Sequence, residues 1–346
     1  MTEAPRRRWR ALLGLALSGL LVALVVWRVD LREAWQALLR MDRGRLWLPA
    51  LLLVLALAIR PVRWRLLFPP GRRPALVRCF AAWQVANMSN NVLPARGGDV
   101  LRCFLIAGGE RMRGASTALA TLGVEKVLDG LALLAVIVLA FAFVTPPGWL
   151  QALTAVAALV FVGALVVMVL LQRSPRWAER TALGVGLRFR RVALARRLVE
   201  LLRSFTDGLH AVRSARLMSV LAALTALTWF LELAFVWAVG RALGLPLELW
   251  QGTVVAAVLG LGLMVPAAPG YIGSYEFICV SVGAMFALTN EQALALALVM
   301  HAGVLLATTG FGLAGLAATT LRLPRAAGEA PSFSAIGHPE AALDGK

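Results

Sequence analysis

The chain has few charged residues, which make up 15% of its 346 positions. An average soluble domain carries about 25%, so this surface could not be covered with charge, and a soluble globular protein is excluded. The apolar residues come in long runs, which excludes a disordered chain. Cysteine and histidine are also scarce, with three of each, and they form no CxxC motif, disulfide framework or ligand cluster. We therefore expect no metal site and no cofactor.

The hydrophobic residues, 60% of the chain, predict an all-α polytopic integral membrane protein. A run of about 20 apolar residues is long enough to cross the bilayer as a helix. The predicted full spans are 11–27, 46–66, 114–144, 151–171, 217–243 and 291–321. Two further apolar segments, 75–107 and 250–288, are interrupted by proline, glycine and polar residues. The sequence thus predicts six full spans and two broken segments.

The charge is strongly positive and unevenly placed. The formal net charge of +17 comes from 35 Lys and Arg against 18 Asp and Glu. A cytoplasmic N-terminus puts the N-terminal arginines, the basic cluster at 60–78 and the eleven arginines of 172–216 in the cytoplasm. This is the positive-inside arrangement, expected here for the inner membrane, and it explains the charge without a nucleic acid partner. We expect one transmembrane domain, 1–321, and a disordered cytoplasmic tail, 322–346.

The polar segment 172–216 predicts an amphipathic helix. Its apolar residues recur at three- and four-residue spacing from Leu194 to Val212, with arginines on or beside the polar face. Such a basic helix is expected to lie along a leaflet that contains anionic lipids. The alternative is a solvated linker helix.

The two interrupted segments predict helical hairpins that enter and leave the membrane on the same side. Each half of the chain, 46–144 and 217–321, then consists of a span, a broken hairpin and a span. The first hairpin opens to the cytoplasm and the second to the outside, so the halves form an inverted repeat of the kind found in many secondary transporters. Two full spans joined by a tight turn are the alternative. Re-entrant hairpins are favoured because each flank is short and each break is polar.

The first break has the residue types of an anion site. Its candidate headgroup-binding residues are Asn90, Asn91, Pro94, Arg96, Gly98, Asp99 and Arg102. Pro94 ends one helix, the glycines permit positive φ, and Asp99 is suited to cap the next helix. The free N–H groups of that helix, with Arg96 and Arg102, are suited to a lipid phosphate. Alternatively, Arg96 and Asp99 pair with each other and only fix the turn.

The second break contains two prolines and two glycines, which end one helix and begin another. Its candidate headgroup-binding residues are Pro269, Gly270, Gly273 and Glu276. Ser274 is suited to cap the new helix, and the helix dipole favours a carboxylate at Glu276. Glu276 therefore either contacts the headgroup or only stabilises the start of the helix.

Charged residues also occur within the predicted spans. Glu125, Lys126 and Asp129 lie in the long helix, where Glu125 and Asp129 share a face. Glu232 is flanked by apolar residues on both sides. These four residues either pair with charges of other helices, or bind a cationic headgroup or a proton that drives transport.

Three motifs together resemble the lysylphosphatidylglycerol synthase transmembrane (flippase-like) family. They are N-x-x-x-P-x-R-x-G-[DE]-x-x-R at 90–102, E-[KR]-x-x-D at 125–129 and P-x-x-P-G-x-x-G-x-x-E at 266–276. Members move or handle polar lipids, so the resemblance implies a lipid-handling membrane domain. The full-length synthases also have a cytosolic aminoacyl-transfer domain. The resemblance does not extend to that domain, so lysyl-lipid synthesis by this chain alone is not expected.

The leading hypothesis is a transporter that moves a phosphate-bearing lipid across the inner membrane. Its expected partner is a membrane lipid, and a second copy or a lipid-synthesis enzyme is a further candidate partner. The chain has no GxxxxGK[ST] motif, so ATP would have to act through a partner. The alternatives are a membrane-embedded transferase acting on a polyprenyl-phosphate or phospholipid, and a scaffold in a lipid-synthesis complex. Against a transferase, His301 is isolated on an apolar helix.

The substitution Arg96→Ala tests the predicted anion site. We expect it to abolish transfer of the lipid headgroup in proteoliposomes, because it removes a cation suited to the phosphate. Folding and membrane insertion should persist. Unchanged transfer would remove Arg96 from the mechanism.

Overall fold

The computed structural model of the chain is all-helical, without strands, in the residues that it describes. Those residues are 20, 23–24, 29–93, 97–107, 111–174, 192–264 and 269–322. The span predicted at 11–27 and the tail predicted at 322–346 lie almost entirely outside them. The candidate residues Pro94 and Arg96 lie outside them as well.

Eleven α-helices make up the described part of the chain. They are α1 (Leu31–Leu39), α2 (Trp47–Leu67), α3 (Leu76–Asn90), α4 (Gly97–Ala107), α5 (Arg111–Ala140), α6 (Gly148–Arg173), α7 (Val192–Gly208), α8 (Ala215–Ala242), α9 (Leu249–Gly262), α10 (Ser274–Gly283) and α11 (Asn290–Arg322). Short 3-10 turns precede α2 and α8 and also occur at Pro269–Tyr271 and Ala284–Phe286.

Four of the described helical segments are long and apolar enough to cross a membrane. They are Arg43–Leu67, which contains α2, then α6, α8 and Asn290–Ala318 of α11. The spans predicted at 46–66, 151–171, 217–243 and 291–321 are thereby confirmed as helices long and apolar enough to cross a membrane. α5 has 30 residues, more than the ~20 that a span needs, but its middle carries three charged residues. The chain is a multi-pass membrane protein.

A proline inside α2 ties this span to α3. Pro61 has no N–H group, so the carbonyl of Leu57 one turn earlier has no partner within the helix. The side-chain amide of Gln84 on α3 donates to that carbonyl at 3.4 Å. Gln84 is buried, and its bond satisfies a main-chain group that lipid could not satisfy. The proline thus creates the acceptor through which α3 is held against α2.

The two interrupted segments each fold into a pair of short helices. α3 and α4 have 15 and 11 residues, and α9 and α10 have 14 and 10. All four are shorter than the ~20 residues of a full span. The two helices of each pair pack against each other. The polar breaks therefore lie between short helices, and their described residues are 91–93, 263–264 and 269–273.

The two halves of the chain pack against each other through three pairs of helices. The first half contains α2 to α5, and the second half contains α8 to α11. α2 packs against α8, α3 packs against α11, and α9 packs against α5. One apolar core runs across these contacts, and its buried members include Leu133, Trp229 and Leu296.

The amphipathic helix predicted within 172–216 is present as α7. Two hydroxyl groups of α5 hold it: Ser116 donates to the carbonyl of Leu201 at 2.8 Å, and Thr117 donates to that of Ser204 at 2.9 Å. One face of α7 therefore lies on α5. Its exposed residues include Glu200, Arg203 and Asp207. Contact of the exposed face with anionic lipid stays a prediction.

The substitution Gly98→Ala tests the close packing of α4 on α3. A Cβ at Gly98 would lie 2.0 Å from the carbonyl oxygen of Ala86, which belongs to the main chain and cannot move aside. We expect the variant to lose about 1–3 kcal/mol of stability, the usual cost of overpacking, measured as a lower thermal unfolding temperature in detergent. The control is Gly163→Ala on α6, because a Cβ there meets no atom within 4 Å. Equal unfolding temperatures for the two variants would contradict this packing.

Candidate functional site

Two adjoining cavities lie between the halves of the chain. The polar cavity, of about 180 Å³, is lined by α2 to α5, α10 and α11, and its polar side chains include Asn87, Asn90, Asn91, Asp99, Tyr271 and His301. The second cavity, of about 190 Å³, is lined mostly by apolar side chains such as Leu53, Leu57, Phe235, Val236, Leu259 and Met264, and we call it the apolar cavity. Four charged side chains, Arg60, Lys126, Asp129 and Glu232, also line it. Arg60, Lys126 and Tyr275 line both cavities, so the two spaces meet at these side chains.

The two polar breaks come together beside the polar cavity. A Cβ on Gly270 of the second break would lie 3.3 Å from the carbonyl oxygen of Asn91 in the first break. Gly270 has φ 67° and Gly273 has φ 85°, a left-handed backbone that favours glycine at both positions. The Asn91 side chain donates to the hydroxyl of Thr308 on α11 at 3.0 Å. The candidate residues of the two breaks are therefore neighbours in space.

The acidic residues predicted in the long helix are paired with arginines of other helices. Arg63 of α2 donates to Asp129 through two hydrogen bonds, of 2.6 and 3.0 Å, and to Thr225 of α8 at 2.9 Å. Arg102 of α4 donates to Glu125 at 2.8 and 3.2 Å. All four charged side chains are buried. The structure thus places Glu125 and Asp129 in charge pairs that join α5 to α2 and α4.

Asp99 lies in the first turn of α4 and not at the predicted N-cap, because the helix already begins at Gly97. Its carboxylate contacts Lys126 of α5 at 2.9 Å and Arg102 at 3.6 Å. Arg102 has both terminal nitrogens on Glu125, and its guanidinium lies 4.7 Å from the ring centre of Trp64. The two terminal nitrogens of Arg102 are therefore occupied by Glu125, whereas its buried Nε has no hydrogen-bond partner, and contact of Arg102 with a phosphate stays a prediction.

Arg60 and Arg63 are charged residues of the bundle interior that the sequence pattern misses. The pattern assigns both to a cytoplasmic basic cluster, but α2 continues to Leu67 and carries them inside the bundle. Arg60 contacts Glu232 of α8, and its guanidinium lies 5.2 Å from the ring centre of Trp229. The available sequence signal is the three-residue spacing within an apolar helix, which places both arginines on one face.

His301 joins the second break to α11. Its Nδ1 lies 2.6 Å from Glu276 Oε1, and its Nε2 lies 2.7 Å from the carbonyl oxygen of Gly270. The ring of Tyr275 stacks on the imidazole, with 4.4 Å between ring centres. The prediction that His301 is isolated is wrong. The pattern holds no signal for this contact, because Glu276 lies 25 residues earlier and only the fold brings the two together.

Glu276 also stabilises the start of α10, which was one of its two predicted roles. Its Oε2 accepts the N–H of Gly273 at 2.7 Å. The helix begins at Ser274, so the N-cap residue is Gly273 and not Ser274 as predicted. Glu276 thus contacts the helix start through one oxygen and His301 through the other.

Three side chains that line the polar cavity each have a buried nitrogen without a hydrogen-bond partner: Arg60 Nε, Trp83 Nε1 and Asn87 Nδ2. Each of these atoms only donates, and leaving such a group unpaired costs about 1–3 kcal/mol. Asn90 differs, because its side-chain oxygen accepts the N–H of Gly98 at 2.9 Å. The polar cavity is therefore suited to a ligand rich in acceptor oxygens, such as a phosphate.

The fold and the site define a class, a multi-pass helical membrane protein whose two helical hairpins meet at a charged cavity. Across the described ranges, no group of three or more His, Cys, Asp or Glu side chains is placed to hold a metal ion. The profile of the family described as "Lysylphosphatidylglycerol synthase TM region" matches residues 11–312, and the chain belongs to this family. The family predicted from the three motifs is thereby confirmed for the membrane part. No curated protein and no solved structure matches the chain.

The substitution Arg63→Gln tests the buried pair with Asp129. It leaves the Asp129 carboxylate buried without its cation, so we expect a loss of about 3–5 kcal/mol, measured by unfolding in detergent. The matched control is Arg72→Gln, since Arg72 pairs with Asp207 at the surface, where its side chain is 63% exposed. An exposed pair contributes about 0–1 kcal/mol, so the control should stay near wild type. Similar losses for both variants would contradict the special role of the buried pair.

Proposed function

We propose that the protein is a flippase-like transporter that moves a phosphate-bearing lipid across the inner membrane. One observation carries the proposal: a polar cavity with unpaired donors adjoins an apolar cavity between the halves of the chain. A lipid has the same two parts, a polar headgroup and apolar chains, and a headgroup needs a polar lining to cross the membrane interior. Membership of a family related to lipid handling supports the same function.

In this proposal the headgroup phosphate contacts Arg60, Trp83 and Asn87. All three present buried N–H groups without a partner. Phosphate oxygens accept such bonds, and the charge of Arg60 adds an attraction that is strong where water is excluded. The pair of Arg60 with Glu232 is compatible with this role, because it uses a terminal nitrogen and leaves Nε free. Arg96 stays a candidate phosphate ligand on its sequence position.

The charged residues of the spans act as fixed pairs that hold the cavity walls together. Glu125, Asp129 and Glu232 each face an arginine of another helix. Lys126 faces Asp99 and lines both cavities. Arginine stays protonated in proteins, so the carboxylates beside it keep their partner charge. Of the two predicted roles, charge pairing is the one that this geometry supports.

The helix contacts support an inverted repeat of span, hairpin and span. In each half, the first span packs on the first hairpin helix, and the second hairpin helix packs on the last span. Between the halves, the contact of α3 with α11 has its counterpart in that of α9 with α5, while α2 faces α8. A two-fold rotation that places α2 to α5 on α8 to α11 would carry the α3–α11 contact onto the α9–α5 contact. The same rotation would carry the α2–α8 contact onto itself. We therefore assign 46–144 and 217–321 to two repeats, with re-entrant hairpins of opposite direction.

The exposed arginines favour cytoplasmic termini. Arg60 and Arg63 do not contribute to the positive-inside bias, because they lie inside the bundle. Arg72 contacts Asp207 of α7 at 3.5 Å, so the α2–α3 connection and the basic segment 172–216 lie at the same end of the bundle. We assign this end to the cytoplasm, where the exposed face of α7 meets anionic lipid headgroups.

The substitution Trp83→Phe tests the headgroup site, because it removes one N–H group and keeps an aromatic ring. A hydrogen bond to a charged group contributes about 1.5–3 kcal/mol, so we expect transfer of NBD-labelled phosphatidylglycerol to fall at least ~tenfold. Transfer is measured in proteoliposomes as the fraction of the label that dithionite reaches with time.

The matched control is Trp47→Phe, since Trp47 is an exposed tryptophan at the start of α2. This variant should transfer the label at the wild-type rate. Equal rates for the two variants would remove Trp83 from the site. A wild-type protein that transfers no label would argue for a transferase or a scaffold.

A further inference from the structure

Among the described residues, five cationic side chains of the core between the halves each pair with a carboxylate, and one of the five is a histidine. Their shortest pairs are Arg60–Glu232, Arg63–Asp129, Arg102–Glu125, Lys126–Asp99 and His301–Glu276. Arginine does not lose its proton in proteins, and lysine ordinarily loses it near pH ~10. Histidine ordinarily changes charge between about pH 5 and 8. Proton exchange near neutral pH is therefore open to the His301–Glu276 pair and closed to the other four.

Both ring nitrogens of His301 face oxygen atoms. Nε2 lies 2.7 Å from the carbonyl oxygen of Gly270, which only accepts, so Nε2 carries a proton. Nδ1 lies 2.6 Å from Glu276 Oε1, a hydrogen-bond distance that needs one proton between the two atoms. Whether that proton is on nitrogen or on oxygen, the pair holds one proton more than a carboxylate beside a neutral imidazole. This geometry fits the pair when it holds that extra proton.

We propose that Glu276 and His301 form a proton-binding site, and that the bound proton holds the second break against α11. His301 lines the polar cavity, so the proton passes from Nδ1 to water on that side and returns the same way. One N–H bond breaks on release, water takes the proton, and no other covalent bond changes. The coupling of this site to lipid movement rests on the proposed function, whereas the site itself does not.

Release of the proton changes the contact between the two breaks. The neutral ring then has one proton for two acceptor oxygens, so one ring nitrogen faces an oxygen with its lone pair, and these two atoms repel each other. Glu276 is held at the start of α10 by the N–H of Gly273 at 2.7 Å. We therefore expect this repulsion to move α11 and the turn at Gly270, because His301 contacts the carbonyl of Gly270. Gly270 lies beside Asn91 of the first break, so this movement reaches both hairpins.

The other charged groups around the polar cavity come as opposite pairs. These are Arg60 of α2 with Glu232 of α8, and Lys126 of α5 with Asp99 of α4. α3 presents asparagine side chains to the cavity. Tyr275 of α10 stacks on the imidazole, and a tyrosine is ordinarily neutral below pH ~10. Since the paired charges largely cancel, Glu276 is the group that sets the protonation of His301.

NMR of the purified protein labelled with ¹⁵N-histidine tests the site without any lipid substrate. The chain has three histidines, and the signal lost in His301→Gln identifies the His301 ring. We expect both ring nitrogens to carry protons at low pH, and one proton to leave as the pH is raised. In Glu276→Gln the midpoint of the His301 titration should move to lower pH by about one unit or more, because the imidazolium loses its counter-charge.

The matched control is His210→Gln, because His210 lies in the turn before α8, away from the five pairs. It should remove a different signal and leave the His301 midpoint unchanged. A ring that keeps one protonation state throughout, or a midpoint that Glu276→Gln does not move, would overturn the proposal. The wild-type titration alone decides the matter if Glu276→Gln does not fold.

Coupling is tested with NBD-labelled phosphatidylglycerol in proteoliposomes under an imposed pH gradient. The gradient should change the transfer rate of wild type and of His210→Gln several-fold and leave the rate of His301→Gln unchanged. A wild-type transfer rate that does not depend on the pH gradient would overturn the coupling and leave the proposed function unaffected. A wild type that transfers no label, with a His301 that titrates as expected, would overturn the proposed function for this lipid and support the proton site.

Discussion

A charge inside the bilayer is tolerated only where an opposite charge or a set of hydrogen bonds meets it. Arg63 and Asp129 meet this condition between α2 and α5, with the indole N–H of Trp229 as a further donor to Asp129 at 3.1 Å. Arg102 and Glu125 do the same between α4 and α5. Because each pair joins two helices, any other packing of these helices would leave a charge buried alone. The pairs thus restrict the bundle to one arrangement by penalising the others.

The same constraint explains why the site lies at the two breaks. Irregular main chain within a membrane must be covered by protein, since lipid offers it no hydrogen bonds. The carbonyl of Gly270 faces His301, the N–H of Gly98 faces Asn90, and Asn91 reaches α11. The polar groups that cover the breaks therefore come together in one place. The polar cavity is a consequence of breaking two helices inside the bundle, and three of its lining side chains have a donor without a partner.

The spans could be predicted from the sequence because the length of an apolar run depends little on its neighbours. The runs at 217–243 and 291–321 are found as α8 and α11, and the three motifs place Asp99, Lys126 and Glu276 around the centre. The partner of a buried charge could not be predicted in this way, because it comes from another helix far away in the chain. Hydropathy cannot tell the last turns of a span from a basic loop, so it assigns Arg60 to the wrong environment. The sequence around His301 holds no local signal for its contact with Glu276.

The polar cavity has a consequence for spectroscopy. Its lining includes Tyr271 and Tyr275, which are the only tyrosines in the 346-residue sequence. Fluorotyrosine supplied during growth would therefore introduce two fluorine nuclei, both beside the meeting point of the two hairpins. The unmodified sequence thus carries a pair of local reporters, one in the turn of the second break and one stacked on an imidazole.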